Sequence, residues 1–102
     1  MSVTVPRATI EKFQTTITAP EDPTGNTVSF AFVASGTAPS SFTAGTWDGT
    51  YSDGRATAVT PTVGFTSSGA TVELAAGTWV AYVKVTDSPE VPVRKCGYVI
   101  IE

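Results

Sequence analysis

Histidine is missing from this 102-residue chain, and cysteine, leucine and methionine occur once each, as Cys96, Leu74 and Met1. Each absence removes a class of chemistry. Without histidine there is no Ser-His-Asp or Cys-His nucleophile, and no imidazole to move a proton near neutral pH. A histidine-built zinc site is excluded as well, and one cysteine cannot make a structural thiolate cluster. Nor can Cys96 close a disulfide within the chain, so stability is expected from packing. Charge is scarce too: six basic and nine acidic residues amount to 15% of the sequence and leave a net charge of -3. That balance gives no electrostatic case for binding nucleic acid. No apolar run approaches the ~20 residues of a membrane-spanning helix. The opening Met-Ser-Val-Thr-Val-Pro has neither the basic patch nor the apolar block of a signal peptide. Synthesis and assembly in the cytoplasm, with no membrane partner and no cofactor, are the expectations.

What the chain has in abundance is threonine (18) and valine (13), residues that suit the pleated, half-buried surface of a strand. No stretch keeps the i, i+3, i+4, i+7 apolar spacing of an amphipathic helix. Gly, Pro, Asn, Asp and Ser recur at about the 8–12-residue spacing of turns in all-β domains. The fold expected is one all-β domain over 1–102, an immunoglobulin-like antiparallel β-sandwich of about seven to eight strands without a disulfide. Residues 8–18 alternate with Phe13, Thr15 and Ile17 on one face. Ile10 is out of phase with them, which places a bulge or sheet switch near Glu11 and Lys12. The run 27–34 points Val28, Phe30 and Phe32 inward. A short strand over 42–47 is followed by a turn around Tyr51, bracketed by Asp48-Gly49 and Asp53-Gly54. Residues 55–60 and 62–66 are strands parted by Pro61, which belongs at an edge or a sheet crossing. Strands over 70–74, 78–87 and 95–101 complete the set. Leu74, Gly77 and Trp79 have the pattern of the corner where such sandwiches enter their long central strand: glycine allows the turn and the aromatic locks it. The expected core is Phe30, Phe32, Leu74, Gly77, Trp79, Val83 and Val85. Ala-Gly-Thr-Trp occurs at 44–47 and again at 76–79, and reads as two similar strand beginnings.

Few constellations could carry chemistry. Asp48 and Asp53 flank a loop that could be read as a calcium site, but calcium takes six to eight oxygens, and Asp-Gly is also the commonest tight turn. Glu21 with Asp22, and Asp87 with Glu90, are paired carboxylates in proline-bounded turns, where acids serve turn chemistry rather than glycoside hydrolysis. No catalytic residue and no metal ligand is assigned, and the chain is read as a non-enzyme. Trp47, Tyr51, Trp79 and Tyr82 could form a platform for a carbohydrate, with core or protein interface the better reading for each. Cys96, with only Arg94 and Lys95 nearby to activate it, reads as a small buried apolar residue. Val3-Thr4-Val5 and the Thr/Val surface suggest exposed sheet edges, an asset where one chain docks on another by adding a strand. The interface residues expected on this basis are Val3, Val5, Arg7, Trp47 and Tyr51, with 1–7 as an N-terminal docking arm.

Three segments carry a resemblance. They are Pro23-Thr24-Gly25-Asn26-Thr27-Val28-Ser29-Phe30-Ala31-Phe32, the turn Gly45-Thr46-Trp47, and the run from Leu74 through Gly77-Thr78-Trp79 and Asp87-Ser88-Pro89-Glu90-Val91-Pro92-Val93 to Gly97. These resemble small proteins encoded among the virion structural genes of tailed bacteriophages of actinobacteria. The resemblance implies a lone immunoglobulin-type sandwich serving as an accessory piece of the capsid or head-neck region, with tail or baseplate as the alternative. It implies a place in the virion and other virion proteins as partners (the major capsid, connector or tail protein), with self-association into a symmetric oligomer compatible. It carries no catalytic motif. The rival reading, from a different class, is a carbohydrate- or host-surface-binding module built on Trp47 and Tyr51.

Overall fold

A computed structural model describes residues 2–6, 9–19, 21–86 and 93–102. Among these there is no helix, and the strand-forming composition is realised as eleven strands: β1 (Ser2–Val5), β2 (Ile10–Glu11), β3 (Gln14–Thr18), β4 (Thr27–Ala34), β5 (Thr43–Ala44), β6 (Thr46–Ser52), β7 (Arg55–Val59), β8 (Val63–Phe65), β9 (Val72–Leu74), β10 (Gly77–Thr86) and β11 (Val93–Ile101). The count exceeds the expected seven to eight because β1 is an added strand, Lys12 and Phe13 part β2 from β3, and Gly45 separates β5 from β6.

One sheet has the order β1-β11-β10-β4-β5, and a second has β3-β7-β6. Every pairing in them is antiparallel except that of β1, which runs parallel to β11. With the core between them, these two sheets make an all-β sandwich. The remaining small sheet, β2-β8-β9, continues the second one around a bend. Ile10 and Glu11 face Gly64 and Val63, while Gln14–Thr18 face Val59–Arg55 in a register offset by one residue. The sheet switch expected near Glu11 and Lys12 lies at this offset, and Pro61 sits on the partner segment where no ladder hydrogen bond is required of it.

The core lies between the sheets in two adjoining clusters. Val5, Phe13, Val63, Leu74, Ala81, Val99 and Ile101 fill one end. Val28, Phe30, Ala58, Val83 and Val85 fill the other, and Phe32 and Cys96 pack against both. The inward set of β4 is the expected one, but its opposite face is covered as well. Ser29 is 8% and Ala31 2% exposed, as is Val80 at 4% on the same face of β10. Among the described residues every buried side-chain nitrogen or oxygen has a hydrogen-bond partner. The Cα radius of gyration, 13.5 Å, is that of one domain of ~100 residues.

Two turns follow directly from residue chemistry. Asp53 and Gly54 both have positive φ, 53° and 74°, the signature of a two-residue hairpin turn that matches the twist of its strands. Asp48-Gly49, expected to bracket the same turn, instead lies inside β6. There Gly49, Thr50 and Tyr51 bulge out of register with β7, between Asp48↔Thr57 and Ser52↔Arg55. A bulge and a turn draw on the same backbone conformations, and pairing with β7 decided between them.

Candidate functional site: the unpaired sheet edges

The residues singled out for their chemistry are held by the fold itself. Trp47 is half-buried against Val28 and Phe30's cluster, and its Nε1–H donates to the carbonyl of Asn26 at 2.9 Å. The Tyr51 hydroxyl donates to the carbonyl of Ala19. Trp79 Nε1–H donates to the carbonyl of Ala75, four residues upstream, at 2.9 Å, locking the corner after Leu74 as its spacing suggested. Gly77 starts β10 there but is exposed, outside the core expected for it. The polar ends of Trp47, Tyr51 and Trp79 are thus spent within the chain.

Of the docking arm expected over 1–7, residues 2–5 form β1, in which Val5 is 0% exposed and the partly buried Val3 packs against the same core cluster. Arg7 lies outside the described residues, as do Asp87 and Glu90. Asp48 is exposed and accepts a hydrogen bond from Gln14 Nε2 at 3.1 Å. Among the described residues no group of three or more His, Cys, Asp or Glu side chains is gathered. Asp22 Oδ1 accepts from both the N–H (2.9 Å) and the hydroxyl (2.6 Å) of Thr24. The two bonds, the hydroxyl's first, hold its carboxyl below the ordinary carboxylate range. Cys96 is partly buried beside Ala81, and burial pushes its thiol above the usual range. Its thiol is therefore the neutral, weakly reactive form at physiological pH.

What the sheets leave open is backbone. In the five-stranded sheet the outer strands are β1 and β5; in the other sheets they are β2, β9, β3 and β6. Most of these edges carry a feature that discourages another strand. Strands β2 and β5 are two residues long, and β2 and β9 carry Glu11 and Glu73. Strand β6 is bulged and holds Asp48, and β1 is stopped by Pro6. Strand β3, Gln-Thr-Thr-Ile-Thr, has no charge, no proline and no bulge.

The pairing parity shows which groups β3 exposes. Hydrogen bonds from Thr60 N–H to the Phe13 carbonyl (2.8 Å) and from Ala19 N–H to the Gly54 carbonyl (2.9 Å) bracket the strand. Alternation between them gives the backbone groups of Thr15 and Ile17 to β7. Those of Gln14, Thr16 and Thr18 face the other way. Along that side runs a groove of about 390 Å³ lined by Thr15, Thr16, Ile17, Thr18, Val83, Arg94, Lys95 and Cys96. Its far wall is the first half of β11, whose second half alone, Tyr98–Ile101, is paired by β1. Sequence reasoning named the edge next to Val3 and Val5; the β3 edge was missed, although its uncharged Thr-rich run was visible.

Compared with protein-family models, with curated proteins and with solved structures, the chain finds no significant match.

Proposed function

We propose that this protein is a non-catalytic structural component of a bacteriophage virion, a capsid-decorating or head-neck accessory domain that docks on the particle through its sheet edges. The observation that carries this reading is the unguarded edge of β3, whose outward amides and carbonyls have no partner among the described residues. An edge of this kind is a liability in a free monomer and a docking surface in an assembly. The virion itself enters through the sequence resemblance, and the geometry is consistent with it. Interface binding also stabilises a small folded domain by mass action, which suits a chain with one modest core. The polar ends of Trp47 and Tyr51 are engaged internally, so the sugar-binding alternative gains no support from their geometry.

The test is co-sedimentation of the purified protein with tailed-phage particles, heads and tails from an actinobacterial host, followed by mass spectrometry of the particles. Stable association with one of these structures supports the proposal, and copy number per particle separates shell decoration (many) from a neck, tail or baseplate position (few). Failure to associate with any of them overturns it.

A further inference from the structure

Strand β1 has one ladder partner, and the slot it fills can be filled by the same strand of any copy of the chain. Its pairing runs along β11 from Ser2↔Tyr98 to Val5↔Ile101, and Glu102 N–H extends it by donating to the Val5 carbonyl at 3.1 Å. It stands at an edge of the five-stranded sheet and is the one strand there paired in parallel. Val5 is fully buried, Val3 packs on the same cluster, and their register partners are Ile101 and Val99. With the slot empty, Val99 and Ile101 would lose their cover and β11 a row of ladder bonds. The slot therefore calls for a Val-x-Val strand, but nothing in it depends on which chain supplies one.

What ties β1 to its own β11 is the short link to β2. Thr9 N–H donates to the Pro6 carbonyl at 3.0 Å, which closes residues 6–9 into a turn. Proline occupies the first position of that turn, not the second, where its fixed φ suits turns. It also keeps the preceding residue extended, so the chain leaves β1 straight as far as Pro6. One four-residue turn is all that folds the strand back.

We propose that β1 is an exchangeable strand: Ser2–Val5 of one copy seats on β11 of a second copy in the same parallel register, and the second copy returns its own. Opening the 6–9 turn is the change this requires within each chain. Every contact of β1 is kept, so the turn and the protein concentration set the balance between closed and exchanged forms. Short hinges favour exchange of this kind. Reciprocal exchange makes a self-complementary contact and closes as a two-fold dimer. The inference does not rest on the virion reading, and purified protein alone tests it.

The experiment is a mixed cross-link. One chain carries Thr4→Cys and the other Ile100→Cys, both with Cys96→Ala; Thr4 and Ile100 are register partners, and their neighbours Val5, Val99 and Ile101 are the ones turned to the core. The two chains are refolded together at high concentration and oxidised. A disulfide-linked heterodimer is expected, because β1 of one chain on β11 of the other brings the two thiols together. In the control a Thr27→Cys chain replaces the Thr4→Cys one; Thr27 is exposed on β4, two strands from β11. Its heterodimer yield is expected to be at least about tenfold lower. Deleting Arg7 and Ala8 removes the middle of the turn and should raise the dimer fraction in analytical ultracentrifugation, whereas a Gly-Ser-Gly-Ser insertion there should lower it. Should the deletion fail to fold, the cross-link still decides the matter. A heterodimer yield equal to the control's, or a folded deletion variant with no more dimer than the parent, overturns the inference. Association with phage particles bears on the docking reading alone, so the two can fail separately.

Discussion

Phe13 and Thr60 face each other at the bend of the smaller sheets and exchange two hydrogen bonds, one of them through a side chain. Thr60 N–H donates to the Phe13 carbonyl at 2.8 Å, and Phe13 N–H donates to Thr60 Oγ1 at 2.9 Å. In a regular ladder the second bond would end on the Thr60 carbonyl. Here the chain turns into Pro61, and the hydroxyl takes the carbonyl's place. Both residues are buried, Thr60 2% and Phe13 6% exposed. Thr60→Val keeps the shape and removes the acceptor, leaving a buried amide without a partner. Unfolding in urea should show a loss of about 1–3 kcal/mol, with Thr60→Ser losing much less. Equal stability of the valine variant would mean that the bend does not depend on this bond.

A second prediction concerns Gly45, where two strands crowd the backbone. A Cβ built there would sit 2.5 Å from Phe30 Cε1 and 2.6 Å from the Val59 carbonyl oxygen. Phe30 is fully buried and cannot swing away. Gly45→Ala is therefore expected to cost about 1–3 kcal/mol. Gly25→Ala, with no atom within 4 Å of the added carbon, should stay within about 0.5 kcal/mol of the parent. Thermal or urea denaturation of the pair gives the comparison.

Cys96 offers a pH-linked prediction. Burial raises its folded-state pKa above the ordinary value of 9.0, because the neutral thiol is favoured in the folded chain. The stability that this linkage contributes is complete below the unfolded value and is lost as pH rises through the folded one. Stability should accordingly decline on the alkaline side, and Cys96→Ala should flatten that part of the profile. In native protein near neutral pH a thiol reagent should label Cys96 far more slowly than it does in urea.

Asp22 gives the opposite sign. Its carboxyl is held below the ordinary value of 3.8, first by the Thr24 hydroxyl and then by the Thr24 amide. The contribution is present above the unfolded value and lost as pH falls through the folded one. A side-chain carboxyl titration followed by NMR should have its midpoint below 3.8, and Thr24→Ala should move it upward. Because the group is fully exposed, the effect should be clearer in the titration than in stability.

Strict local patterns in the sequence carried over best into the structure. Strand β4 spans residues 27–34, where alternation is uninterrupted and both ends are marked by turn residues. The break between β2 and β3 was foretold by a single out-of-phase Ile10, which is 44% exposed. Non-local features were not legible. Nothing near Asp48-Gly49 distinguishes a bulge from a turn, since only the strand opposite can do so. Ser29 and Ala31 look solvent-facing by alternation, yet they lie opposite Lys84 and Tyr82 on a face that neighbouring side chains cover. The groove has walls that lie more than seventy residues apart in sequence, so no window of residues contains it. Val5 read as an exposed edge because its partner, Ile101, lies at the other end of the chain.

That last pairing has a consequence for biosynthesis. Strand β1 precedes every other strand and β11 follows them, and their parallel ladder joins Ser2 to Tyr98 and Val5 to Ile101. Val5 and Ile101 are both core residues, so one cluster cannot close until β11 has been made and has met β1. Contacts this distant in sequence make that step slow. Until then Val3 and Val5 stand uncovered, and a chain truncated before Tyr98 never covers them.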